Sequence, residues 1–274
     1  MKHCHISIQY NELPFLKQKL PFLYENFDQI ILIDNNINTN TNSNDGSIEY
    51  IKKFNDPDKK IILITDIDYH KIKIYRGRSY VKKRKMFAVG SQYINDDIDV
   101  VWATDLDEFF HKSLISKVEE IYNKNNDVQT IKMLHKMFVY NEHNVIPIDF
   151  YDMPRITRHR KKFIYGHCDF ECYGKNYFLK DHYLYHYNLV GLKRSLFKFK
   201  LYSDHSNFNY KEWIKHYYST LIKKKKYIKI PYHNKINGKF CFSVKSQYKH
   251  PKYINTKKMC EELNNLDGFD INTL

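Results

Sequence analysis

Short apolar runs separated by amphipathic stretches fill the first half of this chain, the pattern of a βαβ series. CHISIQY (Cys4 to Tyr10) reads as a first strand, and PFLKQKLPFLYENF as a helix interrupted or restarted at Pro21. QIILID (Gln29 to Asp34) reads as a buried strand. After an Asn-rich loop, DGSIEYIKKFN predicts a helix with Ile48, Ile51 and Phe54 on one side. KIILITD predicts a third strand, SYVKKRKMFAVGSQYI a long helix, DVVWATD (Asp99 to Asp105) a fourth strand, and SLISKVEEIYNK a helix closing the unit. Continuous Val and Ile runs mark strands covered on both faces, as in parallel sheets between helix layers. Ligands bind such sheets beyond the carboxyl ends of the strands, where Asp34, Asp66 and Asp105 fall.

The pattern changes after residue 125. From Val128 to Tyr187 it is strand-like and loop-rich, with Tyr, Phe and His interleaved among Arg and Lys. The last third, including KRSLFKFKLY and YKEWIKHYYSTLIKKKKYI, reads as basic, aromatic helices. The expected organisation is therefore α/β, with a central, mostly parallel sheet flanked by helices and a basic helical C-terminal part. Residues 1–187 form the main domain, in halves 1–125 and 126–187, and residues 188–274 pack on it.

Charge sharpens that division. The chain of 274 residues carries a formal net charge of +14, and Gly191 to Leu274 holds 18 Lys and Arg against 6 Asp and Glu, a local excess of 12. Such an excess calls for a polyanion: nucleic acid, an anionic membrane surface or a phosphorylated substrate. A hydrophobic content of 42% can build a sizeable core, which argues against disorder throughout. Five scattered cysteines, an odd number, point to a reducing compartment, here the cytoplasm. Cys168 and Cys172 beside His167 lack the second cysteine pair a zinc site would need. No apolar stretch reaches the length of a signal peptide core or a membrane span. High Asn, Ile, Lys and Tyr with scarce Gly and Ala suggests an AT-rich coding bias of the kind seen in some giant viruses, protists and low-GC bacteria.

The chemistry concentrates in VVWATDLDEFFH, where Asp105, Asp107 and Glu108 crowd together after an apolar run. In an extended chain Asp105 and Asp107 point to one side. Two carboxylates so placed suit a hard cation, Mn²⁺ or Mg²⁺, that also takes substrate phosphates. Glu108, facing the other way, would orient the turn or pair with a cation. The competing reading is that the acids simply begin the next helix, where they favour its dipole. Three features favour the metal: the position at a buried strand's end, the Asn11-Glu12 pair followed by Asp34 and SNDGS (with Asp45), and the cations of RGRSYVKKRKMF. Asp34 can accept from base or ribose donors, and the cations can neutralise a diphosphate.

The order of N-E, Asp34, NDGS, basic helix and ATDLDEFF resembles the GT-A glycosyltransferases, specifically the family 2-like group whose metal motif reads D-x-D-E-F. The resemblance covers roughly residues 1–125. It implies a Rossmann-like GT-A fold and a hexosyltransferase activity (EC 2.4). A UDP- or GDP-linked sugar would be bound through Asn11, Glu12, Asp34, Asp45, Arg84, Lys85 and Asp105. Mn²⁺ or Mg²⁺ would bridge Asp105 and Asp107 to the donor diphosphate. It also implies inversion at the sugar carbon, transfer to a glycan or protein acceptor, and a later histidine at the metal, for which His186 of KDHYLYHYN is preferred over His182. An inverting enzyme needs a base, and Asp169 and Glu171 of GHCDFECYG are equal candidates. The chain departs from the pattern in its long Asn-rich loop, which leaves the role of Asp45 open, and in KKRK, which leaves open which cation reaches the diphosphate. Trp102, Trp213 and Tyr217 read as core, although aromatic platforms such as Trp213 and Tyr217 also stack on sugar faces, and the lysines at 223–226 read as a solvated helix end that could still attract an anionic acceptor or membrane surface. Two alternatives remain. One is a nucleic-acid-binding protein using the basic, Tyr-rich C-terminal third, which leaves the acidic cluster unexplained, so nucleic acid is the less favoured partner. The other is a nucleotidyltransferase, which would carry a glycine-rich loop that QYNELPF lacks.

Overall fold

The computed structural model describes residues 1–35, 41–67, 80–146, 154–159, 174–202, 210–224, 229–230, 241–242, 244–246 and 248–267. The chain divides into two compact units: Met1–Leu134 with Tyr151–Tyr183, and His135–Phe150 with Leu184–Leu274.

The first unit is an α/β layer. Its elements run β1 (His3–Gln9), α1 (Leu13–Asn26), β2 (Gln29–Asp34), α2 (Ser47–Lys53), β3 (Ile61–Ile64), α3 (Tyr80–Ser91), β4 (Val100–Ala103), β5 (Glu108–Phe109) and α4 (Ser113–Lys124), then the first part of β6 (Val128–Val139). Strands β3, β2, β1 and β4 lie side by side in that order, all parallel. Two more strands follow: β8 (Ile156–Arg158) runs antiparallel beside β4, and β6, antiparallel to β8, runs in the direction of β4 again. The central sheet is thus mostly parallel and flanked by helices, as the apolar runs predict.

Period-2 geometry sorts β1 into two unlike faces. Cys4, Ile6 and Ile8 join Ile31, Ile33, Met86, Phe87, Val101 and Ala103 in an apolar core beneath α3. Helix α3 approaches so closely that a Cβ on Gly90 would sit 2.6 Å from Ile6 Cδ1 and 2.7 Å from Ile33 Cδ1, so any larger residue would have to displace the ends of these two side chains. The other face carries His3, His5, Ser7 and Gln9, all buried. β1 is thus covered on both faces, as expected of strands between helix layers, yet it alternates, and its polar face is packed rather than solvated. Phe27, Trp102 and Phe110 meet in edge and stacked contacts near this face, with Trp102 and Phe110 at 5.0 Å. The Trp102 indole N–H donates to His3 Nδ1 at 2.9 Å, which leaves His3 Nε2 to donate to Glu119 at 3.1 Å.

Helix α1 runs unbroken through Pro21, contrary to the expected interruption. The proline is exposed, and so is Lys17, whose carbonyl loses its i+4 donor; both face solvent, where water satisfies the group. Strand β4 ends at Ala103, two residues short of the expected boundary, because the chain turns at the acidic cluster.

The second unit contains the latter halves of β6 and β9 (Lys175–Leu189), strands β7 (Asn144–Val145) and β12 (Val244–Lys245), and helices α5 (Leu192–Tyr202), α6 (Tyr210–Ile222) and α7 (Thr256–Leu263). A short β10–β11 pair joins Lys229–Ile230 to Cys241–Phe242. Strands β10, β11 and β12 fall within the region read from sequence as helical, and α5, α6 and α7 are its helices. Met137, Val139, Tyr140, Leu189, Leu192, Ile214 and Tyr217 pack together. The Tyr217 hydroxyl accepts from Gly191 N–H and donates to Asn264 Oδ1, and the Asn264 amide donates to the Tyr140 carbonyl at 2.7 Å. Gly191 is left-handed, with φ +93°, and its place for a Cβ lies 3.0 Å from the Leu263 carbonyl oxygen. Phe138 stacks on Tyr187 at 4.8 Å, and His250 holds the Tyr187 hydroxyl at 2.6 Å.

Among the described residues no helix is long and apolar enough to cross a membrane. Cys4 and Cys260 are buried and unbridged.

Candidate functional site

Strand order places β1 at a reversal: the chain builds outward to β2 and β3 on one side, then returns to add β4 on the other. In parallel sheets the crevice beyond the carboxyl ends at such a switch point is where ligands bind. The residues that follow β1, β2 and β4 are those singled out from sequence.

After β4 the chain passes Thr104 and folds into a turn in which Glu108 N–H donates to the Asp105 carbonyl at 3.1 Å. The expectation that Asp105 and Asp107 share a side through extended geometry is therefore corrected: the two lie in a turn, not in a strand. Asp107 is buried and Asp105 partly so. Glu108 is fully buried; its Oε2 accepts the Asp105 N–H at 3.1 Å, and its Oε1 takes a charged bond from Arg155 at 2.5 Å. It both orients the turn and pairs with a cation. Arg155 stands just before β8, and its own carbonyl accepts Ala103 N–H at 2.8 Å, tying the turn to the neighbouring strand.

A second cation lies beneath. Lys19 of α1 is wholly buried, with Nζ 2.9 Å from Thr104 Oγ1, 2.5 Å from the Asp105 carbonyl and 2.7 Å from the Glu108 carbonyl. An ammonium has three N–H groups, and these acceptors use all three. Burial draws its pKa down to about 8, opposed by Glu108, Asp107, Asp105 and Glu12, so at neutral pH it remains protonated. Because Thr104 accepts from Lys19, its hydroxyl proton is directed to His5 Nε2, 2.7 Å away. Burial, and then Lys19, holds the His5 pKa well below its usual value, which keeps the ring neutral and able to accept.

The β2 edge is built differently. Register sets Gln9 of β1 opposite Asp34. The Gln9 amide donates to Asp34 Oδ2 at 2.8 Å, and Ser43 N–H donates to Oδ1 at 2.7 Å. Burial raises the Asp34 pKa, and the Ser43 and Gln9 donors pull against it. Asn11 takes a left-handed φ of +52°, which asparagine tolerates; its N–H donates to Ser43 Oγ and its Oδ1 accepts from Asn44 N–H. Glu12 precedes α1, and its carbonyl accepts from Phe15 and Leu16. Asp45 accepts from Leu13 N–H at 2.9 Å and from the Ser47 N–H and hydroxyl at 3.0 and 2.6 Å, so it satisfies the first turns of both α1 and α2.

Lys85 lies partly buried in α3; the Arg84 side chain, Asp169 and Glu171 lie outside the described residues. His186, in the second unit, sits edge-on to His135 with ring centroids 6.0 Å apart. Asp66 is exposed, two residues past β3. Trp102 and Tyr217 are core, while the Trp213 side chain is outside the described set. Lys223 and Lys224 are exposed after α6, at a solvated helix end.

Sequence reasoning missed Lys19, Arg155, Gln9 and Ser43. Lys19 carried a signal: Phe15, Leu16, Leu20 and Leu23 form the apolar stripe of α1, and Lys19 occupies a place within it that the period reserves for an apolar residue. Arg155 carried none, since its partner lies 47 residues away.

No family model matches the chain, and no curated protein matches it in sequence. Solved structures do. TarS of S. aureus, residues 1–349, aligns over 82% of this chain and 73% of its own at 11% identity, with a TM-score of 0.41. The 4-diphosphocytidyl-2C-methyl-D-erythritol synthase of Anaerococcus prevotii aligns over 65% and 86% at 10% identity and 0.40. The 2-C-methyl-D-erythritol 4-phosphate cytidylyltransferase of Francisella tularensis aligns over 76% and 83% at 12% identity and 0.30.

Proposed function

We propose that this chain is a metal-dependent glycosyltransferase that moves a sugar from a nucleoside-diphosphate donor to an acceptor hydroxyl with inversion. The observation that carries the reading is the acidic turn of Asp105 and Asp107 at the carboxyl edge of a parallel sheet, at the switch between β1 and β4. Two hard oxygen donors within one four-residue turn fit Mn²⁺ or Mg²⁺. Asp105 and Asp107 would hold the cation. When bound, the cation would supply positive charge against the diphosphate that leaves.

The chain's own residues do the rest. Asp34, held by Gln9 and Ser43, presents a fixed carboxylate to the nucleoside; Asn11 and Glu12 shape the chain beside it, and Asp45 fixes the helix starts around that edge. Arg84 and Lys85 offer charge to the phosphates. Asp169 or Glu171 removes the acceptor's proton.

Thermal shift with UDP or GDP, with and without Mn²⁺, tests the reading. Nucleotide should raise the melting temperature only when Mn²⁺ is present, and Asp107→Ala should remove the rise. Stabilisation by oligonucleotides alone, indifferent to Mn²⁺ and to that substitution, would sink the proposal in favour of nucleic-acid binding.

A further inference from the structure

We infer that Lys19 is a positioning residue that forms the Thr104–Glu108 turn in advance and so sets the affinity of Asp105 and Asp107 for a divalent cation. The inference rests on the metal reading above and adds a residue to it that touches neither cation nor substrate.

Three observations carry it. Nζ of Lys19 reaches the carbonyls of Asp105 and Glu108, the two ends of the turn, and the hydroxyl of Thr104 just before it. A point charge bonded to both ends of a four-residue loop fixes its closure. The side chain is fully buried, so no water can take over these bonds if it is removed. Finally, Lys19 bonds to main-chain oxygens. It leaves the carboxylate oxygens of Asp105 and Asp107 to other groups while setting the backbone from which they project. Lys19 offsets the repulsion of the acids that would open an unsupported turn, and a cation arriving there meets ligands already brought together. Its three acceptors lie 85, 86 and 89 residues away in sequence, so the device is a product of the fold.

The first test uses the wild-type chain. Amide exchange at Asp105 and Glu108, the two N–H groups bonded inside the turn, should be slow before any Mn²⁺ is added and should change little afterwards. Rapid exchange that slows only with Mn²⁺ would mean that the metal forms the turn, and would overturn the inference whatever any variant does. The second test is Mn²⁺ binding by Lys19→Met and Lys19→Gln. The methionine variant should bind Mn²⁺ about tenfold more weakly or worse, the usual cost of losing a group that orients a metal ligand. The glutamine variant, which keeps two N–H donors, should recover part of the loss. A purely structural lysine would lower the melting temperature but leave the folded protein's affinity within about twofold of wild type, and that result refutes the positioning role. If Lys19→Met does not fold, the glutamine variant and the exchange measurement decide. If wild type binds no Mn²⁺ and Asp107→Asn changes nothing, the metal reading itself fails; if Asp107→Asn abolishes binding while Lys19→Met does not, only the Lys19 inference fails.

Discussion

The edges after β2 and after β4 both end in buried acids, yet they are fixed by opposite means. At β2, neutral donors hold Asp34 and Asp45: the Gln9 amide, the Ser43 and Leu13 N–H groups, and Ser47. At β4, two buried cations hold the turn, Arg155 through the Glu108 carboxylate and Lys19 through main-chain oxygens. Neutral anchoring can be lost bond by bond. Charged anchoring fails abruptly, because removing one partner strands the other in a poor solvent for charge. Under the metal reading proposed above, such charged anchoring would keep the turn in place for a small cation with strict ligand geometry.

The largest break in this comparison should come from Arg155→Met. It leaves Glu108 buried without its ion-pair partner, and urea unfolding should show a loss of about 3–5 kcal/mol. Adding Glu108→Gln should recover part of that loss, because the stranded charge is gone. If the double variant is no more stable than the single one, the cost lies in packing around Arg155 and not in charge.

Asp45→Ala is the matching test at the β2 edge. Its carboxylate caps two helices at once, and losing a cap costs about 0.5–2 kcal/mol, so the variant should fall toward the upper end of that range. The same unfolding experiment measures it. A loss as large as that of Arg155→Met would erase the distinction between the two edges.

Sequence distance explains how much of this could be read in advance. The β2-edge contacts are only partly local: Asp34 to Ser43 spans 9 residues and Asp45 to Ser47 spans 2, while Gln9 to Asp34 spans 25 and Leu13 to Asp45 spans 32. Strand ends, the Asn-Asp-Gly-Ser loop and helix α2 were accordingly visible as one pattern. The β4-edge contacts span 47 and 86 residues, and no window along the chain joins Lys19 or Arg155 to the acids they hold. The apolar run of β4 located the cluster, but the turn that shapes it depends on bonds to α1 and to the residue before β8. The alternation of His3, His5, Ser7 and Gln9 with Cys4, Ile6 and Ile8 was there to be seen, and it marks the polar face on which Lys19, Thr104 and Asp34 converge. It went unread because buried polar faces are rare and alternation more often means a solvated side.

The smallest effect should separate the edges by pH. Burial raises the Asp34 pKa above the usual aspartate value of 3.8, so the folded chain takes up this proton before the unfolded one does. Its contribution to stability is then fully present below pH 3.8 and is lost as pH rises through the raised folded value. That sign is opposite to the usual salt-bridged carboxylate. Asp34→Asn removes the titration while keeping the shape, since the Gln9 amide can turn to present its oxygen to the new NH₂ group and Ser43 N–H keeps an acceptor. Between the raised folded value and pH 3.8, the stability of the variant relative to wild type should decline as the medium is made more acid. Chemical unfolding of both proteins at a series of acid pH values reads the difference. A relative stability that instead rises toward low pH would mean that the Gln9 and Ser43 donors outweigh burial at Asp34, and that this neutral anchor favours the charged acid after all.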